Sequence, residues 1–327
     1  MSDDLQLTEQ AVIFSGNANH ALAEKIAHHL GVSLGSATIS RFNDGEINIH
    51  INESVRGKHV FVIQSTCSNT TESINDNLME LLLLIRTFKR ASAGTITVVM
   101  PYYGYARQDR KSSPRVPISA ADVATMIELA GADRILTVDL HCGQIQGFFR
   151  DIPVDNLFAA KTFIPYLIEQ NLVNPVVVSP DAGGVERASK FLQSLEKQGI
   201  SADMALISKQ RASAGVIASM NLIGNVQGAD AIIVDDICDT AGTLIKAAQL
   251  LKDQGAHRVF AVITHAVFSG DAMEKIRNSV IDELIIADTI PAKGDVPSNI
   301  AYISVSSLIA QAIYRIHHSE SVSELFL

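Results

Sequence analysis

Ala231-Ile-Ile-Val-Asp-Asp-Ile-Cys-Asp-Thr-Ala-Gly-Thr243 is the stretch on which the fold turns. β-Branched residues run into a pair of carboxylates, small residues follow, and an amphipathic segment carries Leu244, Ile245, Ala247, Ala248, Leu250 and Leu251. The pattern predicts a strand over 229–234, a tight loop, and a helix over 240–252. The first N–H groups of such a helix lack intrahelical partners and lie at the positive end of its dipole, so they favour an anion. Asp235 and Asp236 beside that cradle suit sugar hydroxyls or a Mg2+ ion. The parts together describe a ribose-phosphate pocket. The plainer alternative is an α/β strand that ends in Asp and binds nothing.

Outward from this unit, strand-like and helix-like segments alternate along nearly the whole chain. Strands are expected at 11–15, 59–64, 95–101 and 134–140, with helices at 21–30, 73–91 and 119–130 between them. The series then restarts. Helices are expected at 157–170, 183–198 and 273–279, and strands at 175–179, 202–207, 215–222, 258–267 and 283–287. Such alternation indicates α/β architecture with mostly parallel sheets flanked by helices, and ligands at the carboxyl ends of the strands. Two series of similar size suggest a duplicated α/β domain. The expected division is a first domain over 1–156 and a second over 157–305, with a last helix in 306–327 docking back on the first.

A chain of 327 residues supports two domains, and its 47% hydrophobic content is that of a well-packed globular protein. No apolar run approaches the ~20 residues that span a bilayer. The strongest, Leu81–Ile85, is bracketed by Glu80 and Arg86 and reads as a buried helix. The acidic start, Met1-Ser-Asp-Asp-Leu5, does not resemble a signal peptide. Cys67, Cys142 and Cys238 lie far apart without metal-type spacing, which fits a reducing cytoplasm. The net charge of −9 argues against general nucleic-acid binding. A polyanionic substrate must then be met by local Lys, Arg, N–H groups or metal.

Further segments are too polar or too glycine-rich for plain scaffold. Pro101-Tyr-Tyr-Gly-Tyr-Ala-Arg-Gln-Asp-Arg-Lys111 begins where a strand ends and gathers Arg107, Arg110 and Lys111 among tyrosines. Arginine clamps phosphate or stacks on a base, whereas the plain alternative is a solvated basic loop. His141 stands at the end of an apolar strand, where a lone histidine is more often structural than a ligand. Asp181 follows a strand and Gly183-Gly184 open the next helix, so Asp181 is a candidate Mg2+ ligand, directly or through water. Lys209 and Arg211 share one face of a short strand; near a phosphoryl group they would neutralise charge that builds up during transfer. Arg41-Phe-Asn-Asp-Gly-Glu46 is either a base-recognising loop or a hairpin turn.

Considered together, these segments closely resemble the ribose-phosphate pyrophosphokinase family. The resemblance runs through Phe42–Glu46, Glu53–Gly57, Gly104–Arg110, Asp139–His141, Gln144–Phe149, Pro153–Asn156, Ser179–Asp181 and Val234–Thr243. It implies two tandem type I phosphoribosyltransferase-like domains. It also implies an enzyme that transfers the diphosphoryl group of ATP to the 1-hydroxyl of ribose 5-phosphate, giving 5-phosphoribosyl 1-diphosphate and AMP. Carried onto this chain, Arg107 and Gln108 would contact ATP, with Phe42, Asp44, Gly45 and Glu46 completing the adenine pocket from a neighbouring subunit. His141 and Asp181 would hold Mg2+-ATP. Asp239, Thr240, Ala241, Gly242 and Thr243 would bind the 5-phosphate, with Asp235 and Asp236 near the ribose hydroxyls. Lys209 and Arg211 would be catalytic, Arg211 also contacting ribose 5-phosphate. The resemblance further implies a cytoplasmic homo-oligomer, commonly a hexamer, with no nucleic-acid or membrane partner.

The chain departs from the family pattern in places. Lys111–Arg115 is a residue shorter and less basic than the usual loop, Ser208 and Gln210 replace charged residues, and Glu186 is unusual. Met1–Gln10 has no assigned task. Two rival readings share part of the pattern. A phosphoribosyltransferase needs the 235–243 loop but neither the Arg107-Gln108 loop nor two such domains. A catalytically silent regulatory homologue is the other; retention of His141, Asp181, Lys209 and Arg211 weighs against it.

Overall fold

A computed structural model describes residues 5–213 and 216–326, with side chains described except at 209–219. Two compact units emerge. The first takes everything up to Phe158, together with Thr289–Lys293 and the segment from Ser304 on; the second takes Ala159–Asp288 and Gly294–Ile303.

The first unit runs β1 (Ala11–Ser15), α1 (His20–His29), β2 (Ala37–Arg41), β3 (Ile47–Ile51), β4 (His59–Ile63), α2 (Ile74–Arg90), β5 (Thr95–Met100), α3 (Ser119–Ala130), β6 (Arg134–Val138) and β7 (Val154–Leu157). Strands β1-β4-β5-β6-β7 form a parallel sheet in that order. Its central strands are mostly apolar and buried on both faces: Val60, Phe61, Val62, Val98 and Val99 are all buried. Helix α2 begins at a capping box in which the Ser73 side chain and the Asp76 backbone and carboxylate exchange hydrogen bonds. It buries Leu78, Leu81, Leu84, Ile85 and Phe88 at helical spacing. Strands β2 and β3 form a separate antiparallel hairpin.

The second unit runs α4 (Ala160–Glu169), β8 (Val176–Ser179), α5 (Val185–Lys197), β9 (Asp203–Ser213), β10 (Val216–Ile223), β11 (Asp230–Cys238), α6 (Gly242–Asp253), β12 (Arg258–Ala266), α7 (Ala272–Arg277), β13 (Glu283–Ala287) and β14 (Ile300–Ile303). Its seven-stranded sheet has the order β10-β9-β8-β11-β12-β13-β14. Only β10 against β9 is antiparallel in that sheet. The closing helix α8 (Ser306–His317) belongs to the first unit and packs on α1. There His317 Nε2 and Thr8 Oγ1 share a hydrogen bond of 2.7 Å, which ties the segment before β1 to the last helix.

Several expected boundaries move. The segment expected as one helix over 157–170 is divided: β7 ends at Leu157 and α4 starts at Ala160. The polar residues Asp155 and Asn156 hid the strand; Asp155 pairs with Arg134 and Asn156 caps the backbone N–H of Leu140. The two short strands expected at 202–207 and 215–222 are a long hairpin, β9 and β10. Strand β14 is four residues long and shows no alternation, whereas β2 and β3 do alternate (Ala37, Ile39; Ile47, Ile49, Ile51) but are only five residues each.

Candidate functional site

Strand β11 does not stop at the carboxylates. It continues to Cys238, so Asp235 and Asp236 lie inside the strand and α6 starts at Gly242 rather than Thr240. Asp235 is partly exposed and Asp236 is buried. The extension follows from pairing: β12 is as long, and Ile237 and Cys238 still match His265 and Ala266. Between strand and helix, Ala241 takes a left-handed conformation with φ 61°, which costs a residue bearing a Cβ about 1–2 kcal/mol. That turn gives α6 no side-chain N-cap, and a Cβ built at Gly242 has its nearest neighbour 4.0 Å away, at Thr240 Oγ1. The turn is also anchored from behind: Ser269 N–H donates to Asp239 O at 3.0 Å, and Val267 N–H to Cys238 O at 3.0 Å. Thr240 and Thr243 are exposed and Asp239 is half-buried. The result is an open helix start beside a carboxylate pair, suited to an anion attached to a polyol.

Strand β8 neighbours β11 in the sheet, so the loops that follow the two strands meet at one edge. Asp181 turns there and accepts the Gly184 N–H at 3.1 Å, while Ser179 Oγ donates to Asp181 O at 2.7 Å. The next helix supplies a residue that sequence reasoning missed. Arg187 Nη1 lies 3.3 Å from Asp235 Oδ1 and 3.1 Å from Asp236 Oδ1. Burial, then the adjacent Asp236 charge, holds the Asp235 carboxyl above the usual carboxylate range; Arg187 opposes that rise and Asp181 adds to it. Arg187 sits beside Glu186, an unusual residue for the family pattern. Glu186 itself points outward and pairs with Lys190 at 2.8 Å.

In the first unit the same logic joins two other segments. Strands β5 and β6 are neighbours, and the loops that follow them carry Arg107-Gln108 and His141. Cys142 Sγ donates to Asp109 Oδ2 at 3.1 Å and links the two loops. The 101–109 loop is held at many points. Tyr103 Oη donates to Ala120 O at 2.8 Å, Tyr105 Oη to Asn75, Ser119 Oγ to Gln108 Oε1 at 2.5 Å, and Gly104 N–H to Thr66 Oγ1 at 2.6 Å. Only glycine fits at 104, because a Cβ there would lie 2.3 Å from Thr66 O. Arg107, Gln108, Arg110 and Lys111 are exposed from this fixed base, and His141 is half-buried.

The segment Arg41–Glu46 is a hairpin turn. Phe42 N–H donates to Glu46 O at 2.8 Å, Glu46 N–H to Asp44 Oδ1 at 3.1 Å, and Gly45 takes φ 93°. It caps β2–β3 and not a strand of the parallel sheet. Arg41 is paired with Glu72, yet the Phe42 ring is 54% exposed. Lys209 and Arg211 lie on the backbone of β9, opposite Met220 and Ile217; their side chains are outside the described residues.

As a metal site, the second unit offers hard oxygen donors in Asp181, Asp235 and Asp236, but no group of three or more metal-binding side chains set to hold an ion exists among the described residues. That donor set fits a Mg2+ held mainly by phosphate oxygens with one or two carboxylates, and not a protein cage. No helix among the described residues is long and apolar enough to cross a membrane.

Comparison with known proteins bears on both units. Residues 11–131 match the N-terminal domain of ribose phosphate pyrophosphokinase, and residues 203–327 match the phosphoribosyl synthetase-associated domain. The chain is 52% identical over 315 residues to the ribose-phosphate pyrophosphokinase of Wolinella succinogenes, covering 96% of this chain and 98% of that one. It is 51% identical over 317 residues to that of Vibrio cholerae, with the same coverage. The crystal structure of phosphoribosylpyrophosphate synthetase from Mycobacterium smegmatis superposes with a TM-score of 0.87 at 38% identity, covering 94% of this chain and 99% of that one.

Proposed function

Because the chain belongs to the ribose-phosphate pyrophosphokinase family, we propose that it transfers the diphosphoryl group of ATP to the 1-hydroxyl of ribose 5-phosphate, releasing AMP and 5-phosphoribosyl 1-diphosphate. The observation that carries this reading is the helix start at 241–243, open and uncapped, directly after the Asp235-Asp236 pair. The 5-phosphate accepts hydrogen bonds from the turn 239–243, and the ribose hydroxyls face Asp235 and Asp236. Arg107 and Gln108 bind ATP from a loop fixed to α2 and α3. Phe42, Asp44, Gly45 and Glu46 complete the adenine pocket of a neighbouring subunit, a role that the exposed ring of Phe42 supports.

The sugar oxygen attacks the β-phosphorus in line with the departing AMP oxygen, so the enzyme's work is alignment and charge neutralisation. By family resemblance His141 and Asp181 would each offer a donor to a Mg2+ bound with the nucleotide, and such an ion would supply part of that neutralisation. By family resemblance Lys209 and Arg211, whose side chains lie outside the described residues, would supply the rest, Arg211 also toward ribose 5-phosphate. The enzyme works in the cytoplasm as a homo-oligomer, a hexamer by family resemblance. Exposed apolar side chains on α2 (Met79, Leu83) and on α3 (Met126 and Leu129, the last 76% exposed) support association.

The phosphoribosyltransferase alternative is not favoured. The named relatives align over 96% of the chain, and that alternative has no use for the Arg107-Gln108 loop. The test is a coupled assay of AMP formation from ATP, with and without ribose 5-phosphate, over a phosphate titration. AMP that forms only when the sugar phosphate is present supports the reading. Purified protein that forms none refutes it and revives the silent regulatory homologue.

A further inference from the structure

Asp235, Asp236 and Asp181 concentrate negative charge at the place where a phosphorylated, equally negative sugar is proposed to bind. The Asp pair is ion-paired to Arg187. Arg187 Nη1 reaches Asp235 Oδ1 at 3.3 Å and Asp236 Oδ1 at 3.1 Å, although consecutive strand residues project to opposite sides. Lys190, on the same helix, is turned to Glu186 at 2.8 Å instead. The Asp236 side chain is only 3% exposed, so its charge depends on a protein partner and not on water. Arg187 is in turn held in place by its helix, since Ala188, Phe191 and Leu195 of α5 are buried and the helix packs on β8, β9 and β11.

We propose that Arg187 is a positioning residue for the transfer: it fixes the Asp235 and Asp236 carboxylates as hydrogen-bond acceptors aimed at the ribose hydroxyls and offsets their repulsion of the incoming phosphate. This rests on the reading of 235–243 as the ribose 5-phosphate site. Because Nη1 lies within reach of both carboxylates, a lysine ammonium is expected to take its place. A neutral side chain of similar length cannot.

The test compares Arg187→Met and Arg187→Lys in the full-length protein. Ribose 5-phosphate binding is measured by titration calorimetry, KM for each substrate by AMP formation, and folding by thermal melting. Arg187→Met is expected to weaken ribose 5-phosphate at least tenfold in Kd and KM, with KM for ATP within twofold. Arg187→Lys is expected to recover most of that loss. Ribose 5-phosphate affinity within twofold of wild type in Arg187→Met overturns the proposal, as does an equal loss for ATP. If Arg187→Met fails to fold, the lysine variant decides alone: a folded Arg187→Lys with tenfold weaker sugar-phosphate binding overturns the proposal, and near-normal binding supports it. Wild-type protein that binds ribose 5-phosphate but forms no AMP defeats the proposed reaction, while the calorimetric comparison still decides the role of Arg187.

Discussion

Gly242→Ala separates what the phosphate turn does for the fold from what it does for the substrate. Gly242 is the first residue of α6, its φ is not positive, and the nearest atom to an added Cβ is 4.0 Å away. Alanine is therefore accommodated without strain. It gains helix propensity and lowers the entropy of the unfolded chain, together about 0.5–1 kcal/mol, with the lower end apt for a first turn. On a domain of this size that raises Tm by roughly 1–3 °C. The same methyl group fills the open space over the helix start that the 5-phosphate is proposed to occupy. Loss of one charge-assisted hydrogen bond to an anion costs about 1.5–3 kcal/mol, or roughly 10- to 150-fold in KM for ribose 5-phosphate. The assay is steady-state AMP formation with each substrate varied, alongside a thermal melt of the protein without ligands. Tm level or higher, KM for ribose 5-phosphate raised and KM for ATP little changed is the expected pattern. A KM for ribose 5-phosphate within twofold of wild type would refute the assignment of the phosphate to this turn, and a fall of several degrees in Tm would refute the packing argument.

Three further outcomes follow from the geometry. Gly104→Ala places a Cβ 2.3 Å from Thr66 O, so the nucleotide loop must retreat by most of an ångström; a loss of about 1–3 kcal/mol in stability and up to roughly 100-fold in kcat/KM for ATP is expected, read by melting and kinetics. Phe42→Ala removes an exposed ring, so stability should stay within about 0.5 kcal/mol of wild type while KM for ATP rises; an unchanged KM removes Phe42 from the adenine pocket. Burial and the neighbouring Asp236 charge hold the Asp235 carboxyl above the usual carboxylate range, so the native state releases its proton at higher pH than the unfolded chain does, and stability is lost as pH rises from the ordinary carboxylate range through the raised one. Asp235→Asn should therefore melt progressively higher relative to wild type between pH 4 and pH 8, whereas a constant difference across that range would remove the argument from burial and charge repulsion.

The loops that carry Arg107, His141 and Asp181 are legible from residue order, because each follows a strand and parallel sheets bring the carboxyl ends of their strands to one edge. Asp181 and the Asp235-Asp236 pair could each be found alone. Their adjacency needed the strand order β8-β11, which no periodicity reveals. Arg187 escaped notice for a similar reason: one arginine in the charged run Glu186-Arg187 reads as a solvated helix face, and only the fold turns it toward the strand. Periodicity ends the strand before Asp235 and Asp236 because carboxylates usually end apolar runs; here an ion pair and a long partner strand keep them inside the ladder. The hairpin carrying Phe42 was legible only as one of two alternatives. The alternatives there are a base-recognising loop and a hairpin turn, and Gly45 at φ 93° with the Phe42 N–H on Glu46 O shows the hairpin.

The central claim is that ribose oxygen attacks the middle phosphorus of ATP and carries two phosphoryl groups away together. Reaction with ATP labelled at both the β- and γ-phosphates tests it most directly. The account predicts that both labels leave in the sugar product in equal amount, one sugar diphosphate for each unlabelled AMP. Label recovered in ADP, in orthophosphate or in a sugar monophosphate ester would contradict it.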